Sequence, residues 1–274
     1  GHHVLRRGRR SLLAGRAPRQ ARQPRALRAG PGDQDQHGRR GLPLLQRHAE
    51  QRRRRDRPRG RRHHGRAGAG GEGAQVGRAA VFCRFSGCNL WTGREEDRAT
   101  AVCQFCDTDF VGTDGDGGGK FESAGLLAAA INQSWADGDP HHKYVVFTGG
   151  EPLLQLDQAL IDELHQLGFK IAIETNGTMR APAGIDWICV SPKYGSDLLQ
   201  VQGDELKLVI PQVGHEGKLP QLLARFEKMS FKHHFLQPID GPNKAANTEL
   251  AIKICQSRPL WRLSTQTHKI LGIR

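Results

Sequence analysis

The chain has 274 residues, 41 basic and 28 acidic, with a formal net charge of +13; that length allows one large domain or two small ones. The charge is uneven: residues 1–70 hold 21 arginines, no lysine and four acids (Asp33, Asp35, Glu50, Asp56), a net +17, so the body from Gly71 onward is net −4. A mildly acidic body has no specific nucleic-acid footprint, and no apolar run approaches the ~20 residues of a membrane-spanning helix.

Residues 1–70 contain no Phe, Tyr, Trp, Ile, Met, Cys, Thr, Asn or Lys. Such a stretch cannot bury enough apolar surface to offset chain entropy, so a disordered tail is expected. Its arginine runs suit non-specific contact with RNA or acidic surfaces. The same composition is what high-GC coding DNA yields when translated out of frame, and we favour that reading. All six cysteines lie in the body. The chain is too large for the disulfide-stapled secreted class and opens on no signal-peptide core, so a reduced, cytoplasmic protein is expected.

The body reads as apolar strands alternating with amphipathic helices. Strands are predicted at 79–85, 144–148, 170–174, 186–190, 205–210, 234–236 and 261–265. Between 112 and 119 lies a Gly/Asp-rich loop. Helices are predicted at 123–135 (Ser123 as N-cap; Leu126, Leu127, Ala130 and Ile131 inward), 156–167 (Leu160, Ile161, Leu164 and Leu167 inward; Gly168 as stop), 219–228 and 248–256. This alternation implies βαβ units around a parallel sheet, roughly six of them. The class is α/β, a partial (β/α)6 TIM-like barrel. Ligands of such folds sit at the strands' C-terminal ends. There the sequence places Cys88, Thr148–Glu151, Glu174–Asn176, Ser191–Lys193 and Gln237–Pro238.

The chemistry concentrates in 88–109, CNLWTGREEDRATAVCQFCDTD. Cys88, Cys103 and Cys106 are separated by fourteen and two residues. Thiolates suit iron–sulfur clusters and zinc. Structural zinc closes its tetrahedron with four protein ligands, and a cubane usually takes four Cys. Three thiolates in one loop therefore suggest a [4Fe–4S] cluster with one iron open to a small molecule. A zinc knuckle borrowing Cys83 or a distant His is the alternative.

The cysteine loop with Asp107-Thr108, followed by Thr148-Gly149-Gly150-Glu151-Pro152, resembles the radical S-adenosylmethionine superfamily. The fourteen-residue gap resembles one subgroup, within the 7-carboxy-7-deazaguanine synthase family. Glu72 between two glycines, Gly87-Cys88-Asn89-Leu90, Glu174-Thr175-Asn176-Gly177, Ser191-Pro192-Lys193, Gln237-Pro238 and Thr267-His268-Lys269 extend the match over 71–274 and no further.

The resemblance implies three irons on Cys88, Cys103 and Cys106 and the fourth on the methionine half of S-adenosylmethionine. One electron from the cluster would then split the sulfonium to give a 5′-deoxyadenosyl radical. It implies ring contraction of 6-carboxy-5,6,7,8-tetrahydropterin to 7-carboxy-7-deazaguanine with loss of ammonia, toward queuosine-type tRNA bases. Asp107, Gly149, Gly150, Glu151, Ser191, Lys193 and Gln237 match positions near S-adenosylmethionine, with Glu151 expected to receive the methionine ammonium. Thr108 matches a Mg²⁺ ligand. Glu72, Arg84, Thr148, His268 and Arg274 match substrate positions. A flavodoxin- or ferredoxin-type electron donor and a homodimer are further implied. A glycyl-radical activating enzyme would share the cluster, and a zinc-stabilised RNA-binding protein would use the basic tail. The sequence departs from the family before Gly71: Gly70 stands where the family has Gln, and 62–69 lack the apolar first strand.

Overall fold

In the computed structural model the described residues are 68–69, 72–114, 117–135 and 138–272, all within one compact unit, Arg61–Arg274. The readings of 1–67, Gly70, Gly71 and Arg274 fall outside them. The described strands are β1 (Gly68–Ala69), β2 (Ala79–Phe85), β3 (Tyr144–Gly149), β4 (Lys170–Thr175), β5 (Trp187–Val190), β6 (Gln202–Ile210), β7 (Ser230–Pro238) and β8 (Trp261–Leu263). They form one sheet in chain order. Each neighbouring pair from β2 to β8 is parallel. The helices are α1 (Ala124–Ser134), α2 (Gln158–Gln166), α3 (Leu219–Phe226), α4 (Lys244–Ser257) and α5 (Thr267–Leu271). Among the described residues no helix is long and apolar enough to cross a membrane.

Helices cover the outer face and a small apolar cluster occupies part of the inner one, so the strands read as near-continuous apolar runs. Val145, Phe147, Ile171 and Ile173 point outward and pack with Ile131 of α1 and Leu160, Ile161 and Leu164 of α2. Farther along, Leu206, Leu208, Ile210 and Leu236 pack with Leu223 and Phe226 of α3 and Ala251 of α4. Burial of each such side chain is worth about 1.5–3 kcal/mol. Ala80, Tyr144, Val146 and Ala172 form the inner core.

The structure corrects three expectations. No helix occupies the β4–β5 or β5–β6 crossover; Gly177, Pro182, Gly184, Pro192 and Gly195 make those segments poor helix formers. The inward face of α1 is Ala124, Leu127, Ala128 and Ile131, while Leu126 is exposed; a helix apolar nearly all round gives a weak periodic signal. Finally, Gly68 and Ala69 form a two-residue strand, β1, antiparallel on β2 with Gly68 opposite Ala80.

A short 3-10 turn, Gly73–Gln75, follows β1. Its backbone reaches across the sheet: Ala74 N donates to Glu205 of β6 (3.0 Å) and Gly73 N to Ser264, just after β8 (3.3 Å).

Candidate active site

Parallel register lines up the residues that build the site. Arg84 lies beside Thr148, Glu174 beside Cys189, Cys189 beside Glu205, and Glu205 beside His233. Partners in register point to the same face. Here that face is the inside, and above it opens a cavity of about 710 Å³, within the usual ~300–1,000 Å³ of small-molecule sites. Cys88, Cys103, Cys106, Asp107 and Thr108 form one wall, with Thr148, Gly149 and Gly150 beside them. Ser191, Lys193 and Gln237 line the strand ends, and Glu72, Arg84 and His268 the remaining side. Arg84 thus borders the cavity while remaining exposed.

The long gap between Cys88 and Cys103 folds on a small core of its own. Trp91 meets Phe110 edge-on at 5.5 Å, and Arg98 lies 4.0 Å over the Trp91 ring. The same guanidinium donates to the carbonyls of Gln104 (3.1 Å) and Cys106 (3.0 Å). Cys103 N donates to Leu90 O (3.3 Å), which closes the loop. Three distant cysteines therefore reach one wall. The hydrogen bond between Cys103 and Cys106 pulls Cys106 below the ordinary thiol range and pushes Cys103 up, while Lys193 favours the thiolate of both. Burial raises Cys88.

This donor set fits an open-cornered cluster. Cys88, Cys103 and Cys106 all border the cavity, so three irons of a cubane would find thiolate ligands there and the fourth would face the open space. Cys83, the fourth ligand of the zinc alternative, packs on the helix-side core, and burial pushes its thiol to about 12.

Gly149, Gly150 and Glu151 each have a structural part in the fold. A Cβ on Gly150 would stand 1.8 Å from the Gly87 carbonyl oxygen, and one on Gly149 (φ +109°) 2.4 Å from that of Phe85. These glycines admit the backbone leading into Cys88: Gly150 N donates to Phe85 O and Glu151 N to Gly87 O, both at 2.9 Å. Their close approach serves the protein's own chain, and they border the cavity as a result. Glu151 is fully buried and turns away from the cavity. Its carboxylate accepts from Leu153 N (3.0 Å), Thr175 Oγ1 (2.7 Å) and Asn176 N (2.8 Å). It ties β3 to the end of β4, a bracing role that stands beside the ammonium contact expected of it.

On the opposite side stands Lys207, which the sequence reading missed. Its Nζ lies 2.7 Å from Glu72 and 3.2 Å from Glu174. Burial opposes its charge, yet Glu174 and Glu72 outweigh burial and hold the ammonium well above its ordinary range. Glu72 also meets His268 Nδ1 at 3.4 Å. The available signal was a lysine alternating with leucines in a strand covered on both sides. At the rim Lys269 bridges Asp107 and Asp240, and Gln266 donates to Asp107 (3.1 Å). Burial opposes ionisation of Asp107, but the Lys269 and Gln266 hydrogen bonds prevail and lower its pKa. Asp107 thereby ties α5, which carries His268, to the cysteine loop.

No protein-family model matches the chain. Over 203 residues, 74% of this chain and 93% of the relative, it is 61% identical to the 7-carboxy-7-deazaguanine synthase of Caulobacter vibrioides. It is 60% identical over the same length, with the same coverage, to that of Bordetella pertussis. Among solved structures it is similar to QueE from Escherichia coli, with TM-score 0.50 and 28% identity over 71% of this chain and 88% of that one.

Proposed function

The chain belongs to the 7-carboxy-7-deazaguanine synthase family, and on that premise we propose that its cavity contracts the ring of 6-carboxy-5,6,7,8-tetrahydropterin to 7-carboxy-7-deazaguanine, with loss of ammonia. The product serves queuosine-type tRNA bases. One observation carries the assignment of residues: three thiols, two carboxylates and a guanidinium line a single cavity.

When bound, the [4Fe–4S] cluster and S-adenosylmethionine supply a one-electron cleavage whose carbon radical takes hydrogen from the substrate. The protein aims that chemistry. Cys88, Cys103 and Cys106 hold the cluster. Ser191, Lys193, Gln237, Gly149 and Gly150 border the nucleotide, and Asp107 anchors the rim. Glu72 and Glu174 accept the N–H groups of the pterin's amino-pyrimidinone edge. Arg84 pairs with the substrate carboxylate, with Thr148 beside it in register, and His268 stands by Glu72. Thr108 offers a hydroxyl to Mg²⁺, whose octahedron substrate oxygens and waters would complete. A glycyl-radical activase would not need Glu72, Arg84 and Thr108 on one cavity. The catalytic domain is 71–274 in this reading, and 1–70 takes no part. A flavodoxin- or ferredoxin-type donor, a homodimer and a cytoplasmic setting complete it.

The test is anaerobic reconstitution followed by dithionite, S-adenosylmethionine and the pterin. Iron and sulfide near four each per chain and Mg²⁺-dependent growth of the deazaguanine chromophore are expected. One zinc per chain, or intact pterin beside cleaved S-adenosylmethionine, would overturn the proposal. This polypeptide should turn over weakly, because Gly70 supplies no amide side chain and the sequence of 62–69 holds no apolar run. Placing Gln at 70 behind an apolar segment should raise kcat/KM by about 10- to 100-fold, the worth of one recovered buried hydrogen bond. An unchanged rate would refute that part.

A further inference from the structure

We propose that Lys207 keeps Glu72 and Glu174 both as hydrogen-bond acceptors facing the cavity, and so makes the site selective for a ligand edge composed only of N–H donors. The inference rests on the pterin reading and adds the residue that would set its specificity. Lys207 touches no ligand atom in this scheme; it is a positioning residue.

The geometry is that of a single cation holding two carboxylates. Lys207 Nζ reaches Glu72 Oε2 and Glu174 Oε1 at 2.7 and 3.2 Å, with the lysine side chain only 4% exposed. The three groups come from the N-terminal turn, β4 and β6, and all line the cavity. The other titratable or charged groups facing this layer are Arg84 of β2, Tyr144 of β3, Cys189 of β5, Glu205 of β6, His233 of β7 and His268 of α5. Arg262 of β8 lies over the Phe235 ring at 5.2 Å. Among the described residues Lys207 is the one cation within bonding distance of both glutamates. With it, the pair carries one excess negative charge and no donor. Without it, two carboxylates held within reach of one Nζ position repel each other and share a proton. One of them then offers an O–H to an N–H, a mismatch that recognition does not tolerate.

Lys207→Met tests this. At neutral pH its KM for 6-carboxy-5,6,7,8-tetrahydropterin should rise roughly 30-fold or more while kcat stays within about threefold. That KM should fall as the medium goes from about pH 6 to about pH 9 and the shared proton leaves, whereas the parent KM stays flat. Adding Glu174→Gln, which restores the parent net charge, should flatten the profile. Infrared difference spectra without substrate should show a protonated carboxyl in Lys207→Met at neutral pH. The band should be missing from the parent and from the double variant. A KM raised by one factor at every pH, or no carboxyl band, overturns the proposal. Should Lys207→Met not fold, recovered folding in the double variant supports it and an equally unfolded double variant refutes it. If the parent leaves the pterin untouched, the function reading fails while the infrared comparison still decides the part of Lys207.

Discussion

Cys103→Ala should strip the protein of its cluster. Iron and sulfide should fall from about four each per chain to background. Product formation should drop more than about a thousandfold, roughly 4 kcal/mol at the transition state. Cys103 is 5% exposed, its backbone N–H closes the loop on Leu90, and its thiol is hydrogen-bonded to Cys106. No other thiol can stand in: Cys83 packs on the helix-side core, Cys189 lies in the floor beside Glu205, and Cys255 belongs to α4. The thermal midpoint of the metal-free protein should hardly change, because the side chain borders a cavity instead of filling the core. Anaerobic absorbance and iron analysis decide the matter; a brown, active Cys103→Ala protein would mean a different ligand set.

Glu151→Ala should cost about 3–5 kcal/mol of stability, since it leaves the Thr175 hydroxyl and the N–H groups of Leu153 and Asn176 without their buried acceptor. For a domain of this size that is a fall in Tm of about 10 °C. Burial pushes the Glu151 carboxyl up, and the bonds from Asn176, Thr175 and Leu153 work against it. Glu151→Gln keeps the shape but turns an amide N–H₂ toward donors, so it should fall between parent and alanine. A carboxylate devoted to the methionine ammonium would behave the opposite way: both variants would weaken S-adenosylmethionine binding and leave Tm in place. Calorimetry beside nucleotide titration separates the two roles.

These two residues also mark how far the sequence could be read. The thiols were legible because soft ligands in one loop have few other uses. The extended spacing became intelligible only with Trp91, Phe110 and Arg98 packed inside it. Glu151 stood in a glycine-rich strand end and looked like a ligand group; only its three donors reveal a brace. Strands β2, β3 and β4 were legible because both faces are apolar. Lys207 was not: one lysine among leucines suggests a solvent-facing side, and only curvature brings it inside, opposite Glu72 and Glu174. The α5 helix, five residues without an apolar period, carried no local signal, although Thr267-His268-Lys269 had flagged its place. Side-chain roles that depend on distant partners, as with Asp107 and Lys269, cannot be read from neighbouring residues.

The turn Gly73–Gln75 has one more consequence. It donates two backbone N–H groups, to the side chains of Glu205 in β6 and Ser264 just after β8, while Glu72 beside it points at Lys207 and His268. A guest that seats against Glu72 therefore fastens the turn to β6 and to the end of β8 at once. Occupancy and resistance to proteases should rise together, with the saturated protein the hardest to nick and the empty one prone to gaping at that join.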